Sequence, residues 1–92
     1  MKTHVDEGAA LRLLEELVKI NSMNPSLVLG APGEVEIAEF LAGHMSSLGL
    51  EVRVDEVRPG RLNAIGVLKG SGRGKSLMLN GHTDTVGIDY ME

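Results

Sequence analysis

Two segments in the first half of the chain repeat apolar residues at helical spacing. The first runs from Gly8 to Ile20, with glutamates and a lysine opposite its apolar stripe. The second runs from about Gly33 to Leu48, and Gly49 follows where a left-handed cap is favoured. The stripes consist of Ala10, Leu13, Leu14, Leu17 and Val18, and of Ile37, Phe40, Leu41, Met45 and Leu48. The pattern predicts two amphipathic helices, joined by a loop and preceded by a polar lead over residues 1–7.

The second half of the chain changes to the two-residue period of β-structure. Apolar and charged residues alternate from Leu50 to Val57, as in a half-exposed strand. Residues 58–61 place Pro and Gly in the order of a type II turn, so residues 63–70 are expected to return antiparallel. Residues 76–81 (SLMLNG) are apolar at successive positions, which is typical of a strand covered on both faces. The sequence therefore predicts an α/β fold with two helices followed by three strands of a mixed sheet.

The predicted elements do not complete a domain. Two helices cover one face of a sheet, whereas the strand at residues 76–81 reads as central. A chain of 92 residues buries a modest share of its surface. We therefore expect the opening segment of a larger α/β domain, and we expect the uncovered strand to favour association with other chains.

Composition narrows the function classes. The net charge is −4 and the nine Lys and Arg residues are scattered, so a nucleic-acid partner is not expected. The chain has no Cys, so any metal would need His, Asp or Glu ligands. The N-terminus has no apolar core of a signal peptide, and no apolar run is long enough to cross a bilayer. We expect a cytoplasmic protein without a membrane partner.

A phosphate-loop interpretation of residues 70–76 (GSGRGKS) fails on spacing. The motif requires a glycine five positions before Gly74, and that position is Lys69. The residues that follow predict a strand rather than the helix that would face a phosphate. A solvated glycine-rich loop is the favoured interpretation, and a nucleotide-binding module ranks third among the functions considered.

His82 and Asp84 are the candidate site residues. They follow the apolar run and are separated by one residue, so in an extended segment both side chains lie on one side. Neutral imidazole is a good zinc ligand, and a nearby carboxylate can fix its tautomer. Two residues do not make a metal site, and from the pattern alone a strand-end His beside a turn-forming Asp is the simpler interpretation.

The other polar candidates have structural explanations. His44 falls at the edge of the second apolar stripe and is expected to be packed there, and His4 is expected to be solvated in the lead. Residues 24–26 (NPS) are expected to form part of a loop, where Pro interrupts regular structure. The acidic residues of the second helix are expected to form an ordinary polar face: Glu34, Glu36 and Glu39.

The segment LMLNGHTDTV, residues 77–86, resembles the part of a known enzyme family that carries its first metal ligand. This is the family of acetylornithine deacetylase, succinyl-diaminopimelate desuccinylase, aminoacylase and carboxypeptidase G. The resemblance extends in order over the first helix, INSMNPSL, GEVEIAEFLAGHMSSLGLEVRVDEV, RLNAIGVLKG and GHTDTVGIDYM. The HTDTVG form most resembles the deacetylase and desuccinylase branch. The resemblance identifies residues 1–92 as the N-terminal portion of a metallohydrolase catalytic domain, without the lid or dimerisation domain.

The resemblance implies a zinc-dependent hydrolase of amide bonds in N-acyl amino acids or small peptides. It implies His82 as a metal ligand and Asp84 as the catalytic carboxylate that orients it. It also implies two zinc ions in the complete enzyme, with cobalt as a substitute, and a complete enzyme that can form a homodimer. Its substrate would be a small N-acylated amino acid. The loop that contains residues 24–26 runs near the active site in this family, so the resemblance also leaves open a minor substrate role for these residues. The family's remaining ligands and its general base have no counterpart here, and Asp89 and Glu92 lie too close to Asp84 for the bridging position.

The 92 residues alone are therefore expected to be inactive. The alternative is a non-catalytic truncated relative that acts as an association module.

Overall fold

The computed structural model describes residues 5–87. The elements follow one another as α1 (Glu7–Lys19), α2 (Val35–Ser47), β1 (Glu51–Arg58) and β2 (Arg61–Val67). These elements confirm the two predicted helices and the first two predicted strands, with boundaries that differ by one to three residues. The helices precede the strands, so the α/β character is also confirmed.

Helix α1 is amphipathic but packs little of its surface. Asp6 caps it, because its side chain accepts a hydrogen bond from the Ala9 amide at 3.0 Å. The predicted polar lead is thus wrong from Asp6 onward, while His4 lies outside the described residues. None of the described residues of α1 is buried, and Leu14 and Val18 are more than half exposed. The apolar stripe on α1 is therefore only partly covered within residues 5–87, at Leu13 and Leu17.

The packed part of the molecule is α2 on the β1–β2 hairpin. The strands are antiparallel from Glu51 opposite Val67 to Arg58 opposite Arg61, with an irregularity between Glu56 and Arg58. Ile37 and Ala38 of α2 form the buried apolar centre. We call α2, β1 and β2 the helix–hairpin unit.

Two glycines match the requirements of the helix–hairpin unit. Gly60 in the Pro-Gly turn has φ 75°, as the third position of a type II turn requires. A Cβ atom on Gly66 would lie 2.6 Å from the Met45 sulfur, so α2 crosses β2 where a side chain is absent.

The predicted third strand is wrong. Residues 76–81 have no regular structure, and the sheet within the described residues has two strands rather than three. Leu77, Met78 and Leu79 are 83%, 85% and 88% exposed. A strand needs a neighbour about 4.8 Å away to receive its backbone hydrogen bonds, and residues 5–87 provide none for this run. The expectation of a larger domain that would provide one stays a prediction.

The molecule is extended for its length. Its radius of gyration is 15.5 Å, whereas about 12 Å is typical of a compact domain of this size. The described helices are all too short or too polar to cross a membrane. No helix follows Lys75 and Ser76 in the described chain, so the phosphate-loop interpretation also lacks its structural context.

Candidate functional site

The loop after α1 and the segment after the apolar run lie side by side. The backbone N–H of Asn24 donates to the Thr85 carbonyl at 2.9 Å, and the backbone N–H of Thr85 donates to the Ser22 carbonyl at 3.0 Å. The Ser22 hydroxyl, almost completely buried, donates to the Thr83 carbonyl at 2.7 Å. We call these three hydrogen bonds the loop clamp. The two backbone bonds among them form a parallel β-bridge between Met23 and Thr85. The clamp fixes the residues on both sides of Asp84.

The structure brings His82 and Asp84 into contact. The Nδ1 atom of His82 lies 3.0 Å from Oδ1 and 3.1 Å from the backbone oxygen of Asp84. Both oxygens are acceptors, so in the neutral ring this geometry assigns the proton to Nδ1 and leaves the lone pair on Nε2. The His82 side chain is 86% exposed. Nε2 is therefore accessible as a neutral imidazole ligand, and the role of the pair in metal binding stays a prediction.

Asn24 contacts the other oxygen of the same carboxylate. Its side-chain amide donates to Asp84 Oδ2 at 2.8 Å, while its own oxygen accepts from the Ser26 amide at 2.8 Å. The hydrogen bonds from Asn24 and then from His82 hold the pKa of Asp84 below its usual value. Asp84 is consequently ionised at neutral pH and acts as an acceptor only. Sequence analysis assigned Asn24 to loop punctuation and missed this contact.

A partly buried ion pair lies beside the site. The guanidinium of Arg61 binds both oxygens of Glu34, Nε to Oε2 and Nη2 to Oε1, each at 2.7 Å. Glu34 is only 6% exposed. The hydrogen bond to Glu34 raises the pKa of Arg61, burial opposes this, and the charges of Glu34 and Asp84 add to the rise. The predicted polar face is therefore wrong at Glu34, which ties the start of α2 to the start of β2.

The ion pair and the His–Asp pair line one groove of about 750 Å³. The hairpin forms one wall with Arg53, Arg58 and Arg61, and residues 78–84 form the other wall with His82 and Asp84. Arg53 is already paired with Asp55 at 3.0 Å. Arg61 is paired with Glu34 in the same way, so Arg58 supplies most of the uncompensated positive charge next to the accessible imidazole.

The described residues supply one candidate metal ligand rather than a complete metal site. Residues 5–87 contain no cluster of three His, Cys, Asp or Glu side chains that could hold a metal ion. His44 is half-buried in α2, as its place at the edge of the apolar stripe predicts. Asp89 and Glu92, which were left unassigned, lie outside the described residues. His82 is therefore the candidate ligand that the described part of the chain offers.

Three curated relatives illustrate what the sequence is similar to. It is 37% identical over 75 residues to the acetylornithine deacetylase of Aliivibrio fischeri, covering 82% of this chain and 19% of that protein. It is 34% identical over 79 residues to that of Vibrio cholerae and 37% identical over 79 residues to that of Vibrio campbellii. Each of the latter two matches covers 86% of this chain and 20% of the relative.

No family model matches the chain, and no solved structure matches it with significance. The chain spans about one fifth of the length of the curated relatives. The relatives share one name, and the matched residues take up most of the chain. By sequence, most of the chain is thus similar to about one fifth of proteins named acetylornithine deacetylase, and it resembles that family.

Proposed function

We propose that the chain is the N-terminal portion of the catalytic domain of a metal-dependent hydrolase. The complete enzyme would cleave the amide bond of an N-acylated amino acid that has a free carboxylate, such as an acetylornithine-like or a succinyl-diaminopimelate-like compound. The observation that carries the proposal is the His82–Asp84 pair, with Nδ1 bound to the carboxylate and Nε2 exposed, in a chain related to acetylornithine deacetylases.

In this proposal His82 holds a zinc ion through Nε2, and Asp84 keeps the imidazole in the tautomer that leaves Nε2 free. The ionised carboxylate also increases the basicity of the ring. When bound, zinc supplies the Lewis acid that polarises an acyl carbonyl and makes a water molecule more acidic. Arg58 in the groove would attract the substrate carboxylate. The described residues alone are expected to bind zinc weakly and to be inactive.

The metal role is tested by adding Zn²⁺ to the purified chain and following both described histidines by proton–nitrogen NMR of their rings. We expect the Nε2 signal of His82 to shift, while that of His44 does not. Asp84→Ala should weaken zinc binding about 10- to 100-fold, because the imidazole loses its orienting partner. His44→Ala is the matched control and should bind as the unmodified chain does. An unperturbed His82 at saturating zinc would contradict the proposed metal role.

The hydrolase role is tested in a chimera in which this chain replaces the matching segment of the Aliivibrio fischeri deacetylase. We expect release of free amine from N-acetylornithine, with loss of activity on treatment with a chelator. His82→Ala in the chimera should abolish turnover, whereas His44→Ala should retain it. A folded, zinc-loaded chimera that releases no amine from N-acetylornithine or from other N-acyl amino acids would contradict the hydrolase proposal.

One observation favours the alternative, an association module. Three consecutive apolar residues, Leu77–Leu79, are more than four-fifths exposed and could pair with a strand of another chain. Analytical ultracentrifugation over a concentration series separates the alternatives. A discrete oligomer that neither binds zinc nor supports the chimera would favour association over catalysis.

A further inference from the structure

We infer that Asn24 is a positioning residue for the His82–Asp84 pair. Its side-chain amide fixes the plane of the Asp84 carboxylate, and through this carboxylate it selects the His82 tautomer that leaves Nε2 free. The inference rests on the proposed function, because a metal role for His82 is what gives this tautomer a chemical use.

The Asn24 side chain has one orientation that satisfies its neighbours. Its oxygen accepts from the Ser26 backbone N–H at 2.8 Å, which the amide nitrogen could not do. The nitrogen therefore faces Asp84 Oδ2 at 2.8 Å. In the flipped orientation two donors would meet at Ser26 and two acceptors would meet at Asp84. The amide thus acts as a directed donor toward the carboxylate.

The carboxylate of Asp84 is held at both of its oxygens. His82 binds Oδ1 and Asn24 binds Oδ2, so the two bonds come from different sides. A carboxylate bound at one oxygen can still rotate about its Cβ–Cγ bond, because that torsion has a broad energy profile. The second bond restricts the rotation and keeps Oδ1 at 3.0 Å from Nδ1. The carboxylate oxygen thus acts together with the backbone oxygen of Asp84, 3.1 Å from Nδ1, in keeping the proton on Nδ1.

The loop clamp fixes Asn24 with respect to its target. The backbone N–H of Asn24 is hydrogen-bonded to Thr85, the residue after Asp84, and Ser22 is hydrogen-bonded to both Thr83 and Thr85. The side-chain bond from Asn24 to Asp84 thus spans 60 positions of sequence within a framework of backbone bonds. A donor held in this way loses little further freedom when it binds the carboxylate, which strengthens its control over orientation.

The variant Asn24→Asp tests the inference. It retains the oxygen that accepts from Ser26 but places an acceptor where Asp84 needs a donor. Asn21→Asp is the matched control, because it makes the same charge change in the same loop. The Asn21 oxygen accepts from the Met23 amide at 3.2 Å, and the contacts of its side chain do not include Asp84. The readout is the tautomer of His82 in long-range proton–nitrogen NMR spectra of the full chain, recorded without metal at a pH where the ring is neutral.

We expect the Nδ1–H tautomer to predominate in the unmodified chain and in Asn21→Asp. In Asn24→Asp the share of the Nε2–H tautomer should rise, because only the backbone oxygen of Asp84 then remains a fixed acceptor for Nδ1. An unchanged His82 tautomer in a folded Asn24→Asp chain would overturn the inference. If Asn24→Asp disturbs the loop, Asn24→Ser replaces it, since its hydroxyl can still accept from Ser26 but is too short to reach Asp84. The same tautomer shift is then expected, and its absence would equally overturn the inference.

The result is separable from the proposed function. The tautomer is read without metal, whereas the metal role is read from the response of His82 to added Zn²⁺. A tautomer shift in Asn24→Asp combined with no response to zinc would uphold the role of Asn24 and reject the metal role. A zinc response with no tautomer shift would give the opposite conclusion.

Discussion

Strand β1 and the segment 76–81 are both apolar enough to form strands, but only β1 is one. β1 reaches its partner through a two-residue turn, and the paired strands then receive α2 on one face. Segment 76–81 stays exposed, because the described residues offer it no second strand. Apolar pattern thus produces a strand where the backbone finds hydrogen-bond partners nearby.

The candidate site follows segment 76–81, the one of these two regions that has no regular secondary structure. His82 and Asp84 follow segment 76–81 directly, yet both flanks of Asp84 are bonded to the loop clamp. The site is therefore held by a few hydrogen bonds rather than by packing. Perturbations of the helix–hairpin unit and of the clamp should be separable by hydrogen exchange, which reports local opening.

The largest effect is expected from Glu34→Ala. The substitution leaves Arg61 without its bidentate partner and removes the link between the start of α2 and the start of β2. Exchange of the β1–β2 amides should therefore accelerate, by less than for a fully buried pair because Arg61 is partly exposed. The exposed Glu36 on the same helix supplies the control, Glu36→Ala, which should change exchange little. Equal effects from both variants would show that the ion pair does not stabilise the unit.

Gly66→Ala should have the next largest effect. The added methyl would overlap the Met45 sulfur and a methyl group of Leu50, and because both are ends of flexible side chains the cost should fall at the lower end of the range for overpacking, about 1 kcal/mol. Gly43→Ala in α2 is the matched control, because a methyl group there meets no atom within 4 Å. It should stabilise α2 by about 0.5–1 kcal/mol, as glycine is a poor helix residue. We expect the β1–β2 amides to exchange faster in Gly66→Ala and more slowly in Gly43→Ala. A change in the same direction in both variants would contradict the close packing at Gly66.

Ser22→Ala addresses the loop clamp. It removes the hydroxyl bond to the Thr83 carbonyl, which contributes about 1 kcal/mol. Exchange of the Thr85 amide should accelerate about fivefold, with no change in the β1–β2 amides. Ser26→Ala is the control, because its backbone N–H still donates to Asn24. Acceleration of the hairpin amides by Ser22→Ala would show that the two regions open together.

The smallest effect on stability is expected from Met78→Ser. The side chain is 85% exposed, so the opening free energy of the helix–hairpin unit should change by less than about 0.5 kcal/mol. Self-association measured by sedimentation should nevertheless decrease, because the variant interrupts the apolar run. Leu29→Ser removes an exposed leucine elsewhere and should leave association unchanged. Equal sedimentation of all three proteins would argue against segment 76–81 as the association surface.

Features that depend on neighbouring residues were predictable from the sequence, whereas contacts between residues far apart along the chain were not. The helix stripes, the cap at Gly49 and the Pro-Gly turn are local, and they were predicted to within a few residues. The Glu34–Arg61 pair was missed, because its members are 27 positions apart and each resembles a surface charge. The Asn24–Asp84 bond was missed for the same reason, although the Asn-Pro-Ser loop and the His-x-Asp spacing were both noted.

The sequence by itself determined the helices, the hairpin, the resemblance to acetylornithine deacetylases and the adjacency of His82 and Asp84, because periodicity, turn residues and a two-residue spacing act over short distances. Tertiary structure alone decided that Glu34 is buried, that segment 76–81 has no strand partner among the described residues, and that Asn24 holds the second oxygen of Asp84. These outcomes depend on which distant segments meet, and hydrogen bonds and burial between distant segments leave no periodic trace along the chain.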